Sequence, residues 1–571
     1  MPEKIELEPK YYLGYFHYLL SFVEKKYAHI LNESENAFLS NFAQLSEDEQ
    51  CLYVRFSNRR ASFFRTDKLK YAEIANIPSV IRSLIKKGFI EEVAAKHLVL
   101  AGELLDIFNK SELLEMAKML QLETKGKASL KKDEVLDWMM TVANFEEIIT
   151  LLQVNEQAIP TVIKVAYETE VQLIKFLFFG TRHGDMTEFV VRDLGFQTYQ
   201  HFDEENLVPH FETRQEAEDK LKVSLAREDF YLMQSAKIEA DEIYHWFMDW
   251  ADQHHKSLAE IAVPTFERFA LKVGMYLEKQ KAFDEALSIF KLTSEHPSRE
   301  RQVRILHKTK NLEEAKALCE QMLAEPQNAD EQFFAIDFFN KLDAQLQKKR
   351  VKKSVTQELH NAESISLDID WKRQVELGVI HYYEERHQKV TFTENHLWRS
   401  LFGLLFWDII FDTESMAMHH PLQRSPSDLY KPVFFEKRKD KMQERLQLLE
   451  DEEAIRAYLY DTFFAKYGIT NPLVEWYGGL FPLLITLVEK LSAEQLSKVL
   501  LEIARDLREN LRGFPDLLVW DNGDYCFVEV KSPTDNLSNQ QLYWLRFFAT
   551  HGINSKVLRV EWKKPVLFEE E

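Results

Sequence analysis

Two short apolar runs, Leu517-Leu518-Val519-Trp520 and Tyr525-Cys526-Phe527-Val528-Glu529-Val530-Lys531, flank the turn signal Asp521-Asn522-Gly523-Asp524. Runs of this kind on either side of an Asn-Gly pair predict a β-hairpin, which is a narrow choice among folds. Pro515, just upstream, cannot donate to a ladder and marks the strand entry. Side chains alternate along a strand, so Glu529 and Lys531 share one face while Val528 and Val530 occupy the other. Closure of the hairpin points the carboxylate and the amine toward Asp516.

Three ionisable groups in that arrangement suit phosphodiester hydrolysis. A divalent cation activates water and neutralises charge developing on the phosphate, and Mg²⁺ or Mn²⁺ prefers hard oxygen ligands such as Asp516 and Glu529. Lys531 would orient the water or stabilise the transition state. An isolated Glu-x-Lys on a strand face is more simply a solvated cross-strand ion pair. The order Pro-Asp, turn, Glu-x-Lys matches a whole supersecondary unit and shifts the reading toward a metal site.

Gly513-Phe514-Pro515-Asp516-Leu517, the string from Val528 to Ser538 and Gln540-Gln541-Leu542-Tyr543-Trp544-Leu545 together resemble the VRR nuclease domain of the PD-(D/E)xK superfamily. More closely, with the apolar string from Leu401 to Phe411, the chain resembles the Fanconi-associated nuclease family, as a bacterial-length member. The resemblance covers most of the chain. It implies a structure-specific DNA endonuclease and exonuclease acting on 5′ flaps and branched DNA in interstrand crosslink repair. It implies one or two Mg²⁺ or Mn²⁺ ions held by Asp516, Glu529, the carbonyl of Val530, and Glu394, the glutamate ahead of the Leu-Phe-Gly-Leu-Leu string. Read without the family, Glu394 is an acidic residue near a helix start, where acids are favoured. The resemblance also puts Gln541 at the active-site edge, although it equally fits the polar face of an amphipathic helix from Asn539 to Ala549. Arg508 takes the place of a residue that holds the 5′ phosphate of a flap. Ser532, Asn536 and Gln540 replace a glycine, an arginine and a lysine of the family, and the last change implies weaker terminal-phosphate recognition.

A formal net charge of −21 runs against DNA binding, whose affinity comes largely from Lys and Arg displacing counterions. Distribution is the better test. Between Cys51 and Tyr71, Arg55, Arg59, Arg60, Arg65, Lys68 and Lys70 face a single acid, Asp67. Tyr53 to Arg65 interleaves basic and apolar residues across Ser57-Asn58-Arg59, as a hairpin would if one face met phosphate and the other a core. A solvated strand face is the other reading. Lys125, Lys127, Lys131 and Lys132 lie between two short helical segments in the manner of a SAP-type DNA-binding module, or simply form a solvated loop. The cluster from Lys348 to Lys353 reads most simply as a charged linker, with nonspecific phosphate contact as the other reading.

From about 226 to 345 the pattern is helical, and Leu277 to Ala286 recurs more weakly as Leu306 to Ala315. These pairs resemble tetratricopeptide repeats, although the spacing falls short of the roughly 34 residues usual for that repeat, and generic helix packing remains open. Such repeats would set the angle of DNA arms or recruit repair proteins. The expected fold is multidomain and mostly α. A DNA-binding region with a basic hairpin occupies 1–96, a SAP-like helical region 97–225, tetratricopeptide-like helices 226–380, and an α/β PD-(D/E)xK nuclease domain 381–571.

Cys51, Cys319 and Cys526 are far apart, which argues against a disulfide framework or structural zinc and fits a reducing compartment. With no signal-peptide core and no apolar run near the roughly 20 residues needed to span a bilayer, the expected location is cytoplasmic, on the nucleoid during repair. His254-His255 and His419-His420 lack metal-ligand spacing and are expected at the surface. No Gly-x-x-x-x-Gly-Lys loop is present, so an ATP-driven helicase is disfavoured. Two other functions stay in view: a Holliday-junction or restriction-like nuclease, and a noncatalytic repair scaffold.

Overall fold

In the computed structural model of this chain, residues 6–59, 61–154, 161–347 and 362–563 are described. They divide into two compact units, Met1–Phe196 with Pro209–Ala217, and Gln197–Val208 with Glu218–Glu571. No described helix is long and apolar enough to cross a membrane.

The first unit opens with α1 (Tyr11–Tyr27), which buries Phe16, Leu19, Val23 and Tyr27. α2 (Glu47–Ser57) starts at a capping box: the Ser46 hydroxyl accepts from the Glu49 amide, and the Glu49 carboxylate accepts from the Ser46 amide. This element corrects the expected basic hairpin. Cys51, Leu52, Tyr53, Val54 and Phe56 are all buried, which a helix enclosed on several sides achieves and a half-exposed hairpin strand does not. Tyr53 packs among Phe38, Phe42 and Phe89. Only Phe63–Arg65 is a strand, β1. Its partner is β3 (Val162–Val165), which also pairs with β2 (Ile90–Glu92) in the order β1-β3-β2.

The two short helices expected around the lysine-rich connection are α3 (Lys110–Met119) and α4 (Lys132–Val142). Leu113, Met116, Ala117, Val135 and Met139 share one core with Phe63 and Val162. The division expected at 96/97 therefore falls inside a single packed unit, because both its sheet and its core draw on either side of that point.

In the second unit the repeat is real and short. α5 (Val263–Gln280) turns into α6 (Phe283–Phe290), and α7 (Ser298–Lys308) turns into α8 (Leu312–Ala324). Both turns pass through a left-handed lysine, Lys281 and Lys310, each at φ 69°. In each, the next amide reaches back to an equivalent carbonyl, Ala282 to Leu277 at 3.0 Å and Asn311 to Leu306 at 2.8 Å. The divisions expected at 225/226 and 380/381 cut through helices, Arg214–Ser235 and α9 (Val375–Glu384).

Five strands form the sheet that carries the site, in the order β4-β8-β7-β6-β5. β4 is Glu363–Leu367, β5 Lys389–Phe392, β6 Leu517–Trp520, β7 Tyr525–Lys531 and β8 Ser555–Trp562. β4, β8 and β7 run parallel to one another, whereas β6 is antiparallel to both β7 and β5. Val528 and Val530 pack with Leu517, Val519, Leu558 and Val560 on one face. On the other, Phe527 meets Trp398 of α10 (His396–Leu405) and Phe548 of α11 (Asn539–Thr550). Gly403 is where α10 comes closest to its neighbours: a Cβ there would lie 2.7 Å from Val474 and 3.0 Å from Leu473.

The segment 197–208 also belongs to this unit. Gln200 accepts from the Trp407 indole at 3.0 Å, and the Val208 amide donates to Met418. His419 bridges the Val208 carbonyl and the Ser427 hydroxyl. His419 and His420 are buried, contrary to the surface placement expected, and burial pushes their imidazoles down to about 4 and about 3. His254 and His255 instead stack on Trp250 and Phe266.

Candidate active site

The β6–β7 turn closes as its residues dictate, with the Asp521 carboxylate accepting from the Gly523 and Asp524 amides at 2.9 Å each. The register pairs Leu517 with Val528, which sets Asp516 beside Glu529 at the end of the ladder. Asp516 Oδ2 accepts from the Val530 amide at 2.8 Å. Upstream, Gly513 holds φ 85°, and a Cβ there would stand 2.8 Å from the backbone carbon of Gln540. Glycine at this point lets the Pro515-Asp516 segment lie directly against α11.

β5 brings in the distant glutamate. Phe392 pairs with Leu517, and the next two amides, Thr393 and Glu394, both donate to the Asp516 carbonyl at 2.7 and 3.0 Å. Glu394 itself has φ 23°, a left-handed conformation rare for a side chain of this size. Its carboxylate is exposed and accepts from Asn395 Nδ2 at 3.1 Å.

Glu529 and Lys531 do share a face, but they are not a solvated pair: they are 1% and 8% exposed. Lys531 Nζ lies 2.8 Å from Glu529 Oε1 as an ion pair, but its approach lacks the alignment of a hydrogen bond. Neither Glu529 oxygen therefore has a hydrogen-bond partner among the described residues. Lys531 Nζ donates to Gln541 Oε1 at 3.0 Å, and that same oxygen accepts from the Ser538 amide at 2.9 Å. Gln541 is thus both a helix-capping residue and a neighbour of the lysine.

Burial raises the Glu529 carboxyl to about 8, with the field of Asp516 adding and Lys531 opposing. Burial likewise raises Asp516 to about 6; the Val530 amide and Lys531 oppose, and Glu376 and Glu394 add. Two adjacent carboxyls with raised pKa values, one of them with both oxygens orphaned, fit a hard divalent cation, which would supply the missing partners for the ionised form. Among the described residues no three His, Cys, Asp or Glu side chains already converge on one point. Glu394, on the exposed side, is the ligand candidate that would have to swing in. Glu376, on α9, is a fourth carboxylate in this field, and no sequence motif marked it.

The other candidate residues are dispersed. Arg65 is 7% exposed and joins Asp67 and Glu112, fastening β1 to α3. Arg55 pairs with Glu73 at 2.6 Å and lies over the Tyr12 ring. Both expected DNA contacts are therefore committed within the protein. Arg59 is exposed near the Phe64 and Tyr71 rings, while Arg60 lies outside the described residues, as does the cluster from Lys348 to Lys353. Lys125 and Lys131 are exposed; Lys127 covers Trp138 and Lys132 binds Asp106.

Arg508 follows α-helical Ala493–Arg505 in a separate turn, Leu507–Asn510, and pairs with Glu295. Arg512 lies beyond both, so Arg505, Arg508 and Arg512 do not share one helix. Arg268 is near enough to Arg508 and Arg227 to feel their repulsion, and Lys220 near enough to Lys431 and Arg268. Arg268 and Lys431 are open to solvent yet recessed among neighbouring protein. Burial, then the two cations, pushes the Lys220 amine down to about 7. This basic recess was not readable as a cluster, because its members come from segments some two hundred residues apart.

The family descriptions "FAN1, HTH domain" and "VRR-NUC domain" match residues 10–91 and 450–562. A Fanconi-associated nuclease 1 homolog of Pseudomonas aeruginosa is 28% identical over 569 residues, spanning 97% of this chain and 96% of that one. The Homo sapiens Fanconi-associated nuclease 1 is 35% identical over 193 residues, 32% of this chain and 19% of its own. The crystal structure of paFAN1 bound to 1nt 5′ flap DNA with gap superimposes with a TM-score of 0.80 at 25% identity, covering 98% of this chain and all of that one.

Proposed function

Because this chain belongs to the Fanconi-associated nuclease family and is a structure-specific DNA nuclease, we propose that it hydrolyses phosphodiester bonds near 5′ flaps and branched junctions with the help of Mg²⁺ or Mn²⁺. The observation that carries the metal reading is Glu529, whose two buried oxygens lack hydrogen bonds beside the half-buried Asp516 carboxyl. Asp516, Glu529, Glu394 and the Val530 carbonyl would hold one or two ions. A bound ion would lower the pKa of water and neutralise charge on the phosphate.

The chain's own groups divide the remaining work. Lys531, fixed by Glu529 and Gln541, presents its ammonium to the attacking water or the phosphate oxygens. Gln541 sets the direction of that amine. As water forms its bond to phosphorus, the bond to the leaving deoxyribose oxygen breaks, and Lys531 offsets the charge that accumulates between. Arg508 and its basic neighbours are the phosphate-gripping groups of this unit. Arg59, Lys125 and Lys131 are those exposed in the other.

A repair role at crosslinks, and recruitment of repair proteins through the helical repeats, are further parts of the proposal. The test uses purified protein with Mn²⁺ and end-labelled 5′-flap, 3′-flap, four-way junction and linear duplex DNA. Cutting of the 5′ flap in preference to linear duplex is expected. Cleavage confined to 3′ flaps would overturn the substrate assignment while leaving nuclease activity intact.

A further inference from the structure

A cleft of about 390 Å³ opens on the outer side of Glu394, lined by Phe392, His396, Arg399, Glu475 and Tyr477. Three of these present flat rings. Phe392 is 40% exposed at the end of β5, and its ring lies within 21° of parallel to His396 at 6.2 Å between centroids. Tyr477 meets His396 edge-on, and its hydroxyl lies 3.0 Å from His396 Nε2, so the two rings are fixed relative to each other. Arg399 spends Nη2 on the Pro472 carbonyl at 2.7 Å, but its buried Nε has no hydrogen-bond partner among the described residues.

We propose that this cleft receives one unpaired nucleobase of the branched substrate, next to the phosphate being cut. The proposal rests on the nuclease reading above and adds to it a source of branch selectivity. The cleft's size lies within the range of small-molecule sites, and exposed aromatic faces are the usual partners of unstacked bases. Its charge points the same way. With Glu394 turned to the metal, Glu475 and Arg399 offset each other, which leaves the cleft without net charge and admits an uncharged ring. A donor on Arg399 and an acceptor on Glu475 suit the mixed hydrogen-bonding edge that a base exposes once it is unpaired. Position completes the argument: the Glu394 amide is bonded to the Asp516 carbonyl, so the cleft that Glu394 lines adjoins the carboxylates where the phosphate would be cut. A base inside a continuous duplex would have to give up pairing and stacking to enter, whereas a base at a branch has already lost part of both.

The test binds the full chain, in EDTA so that nothing is cut, to 5′-flap duplexes carrying single 2-aminopurines at successive positions around the branch. One position is expected to change its fluorescence on binding, and Phe392→Ala to abolish that change and weaken flap binding about tenfold. Phe392→Trp, which keeps a stacking face, should retain the signal. An abasic site at the same position should bind wild type and Phe392→Ala equally. A flat response at every position, or a response that Phe392→Ala leaves intact, overturns the proposal. Failure of the wild type to cut any branched DNA in Mn²⁺ would instead sink the nuclease reading, and the fluorescence result would be unaffected.

Discussion

Burying Glu529 without a hydrogen bond to either oxygen disfavours its ionised form, and Asp516 alongside adds to the effect. Both folded-state pKa values, about 8 and about 6, stand above the roughly 4 of an unfolded chain. The protonated forms are therefore favoured by folding. Stability from this pair is complete below about pH 4, declines as the unfolded chain sheds protons first, and is lost once pH passes about 8. In thermal melts, metal-free wild type should lose more stability than Glu529→Gln between pH 5 and 8, and saturating Mn²⁺ should flatten the wild-type curve. Equal pH slopes for the two proteins would remove Glu529 from the account. Lys531→Ala should lower cleavage by at least about a hundredfold with DNA affinity unchanged, read by gel cleavage and anisotropy; wild-type cutting would refute its role. These residues were legible in the sequence because strand alternation fixes which side chains share a face. The commitment of Arg55 to Glu73 and of Arg65 to Glu112 was not, since those partners lie 18 and 47 residues away.

Among elements, the misread segment is as informative as the ones read well. Ser46 and Glu49 form a capping box that announces α2, but the alternating basic and apolar residues after it imitate a strand. Another capping box, Ser538 with Gln541, begins α11 and also places the amide oxygen that holds Lys531. Structure and chemistry meet in that first turn. Ser538→Ala should cost about 1 kcal/mol in stability, since it removes the acceptor for the Gln541 amide. It should also reduce the cleavage rate severalfold with little change in DNA affinity, as Gln541 loses its fixed direction. Ser538→Asp, a comparable cap, should restore both. Recovery of the melting temperature without recovery of the rate would mean that the cap does not position Lys531.

At the scale of the whole molecule, what the sequence concealed was assembly over distance. β5 reaches the hairpin across more than a hundred residues, and 197–208 packs with Trp407 and Met418. Neither pairing leaves a local pattern, whereas the helix repeat does, because its turn geometry is written twice at Lys281 and Lys310. The same holds for charge. A chain with a net charge of −21 must concentrate its cations to hold DNA, and the recess containing Lys220, Arg268, Lys431 and Arg508 does so with residues from separate segments. Lys220, its pKa pushed down by burial and by its cationic neighbours, should regain its full charge when phosphate enters. If the recess grips the backbone, Arg268→Ala should weaken binding of flap and linear DNA alike, and the slope of log affinity against log salt should shrink by about one. Anisotropy titrations from low to physiological salt measure both quantities. A slope identical to wild type would show that DNA takes another path across this unit, and that the cations of the recess serve the fold alone.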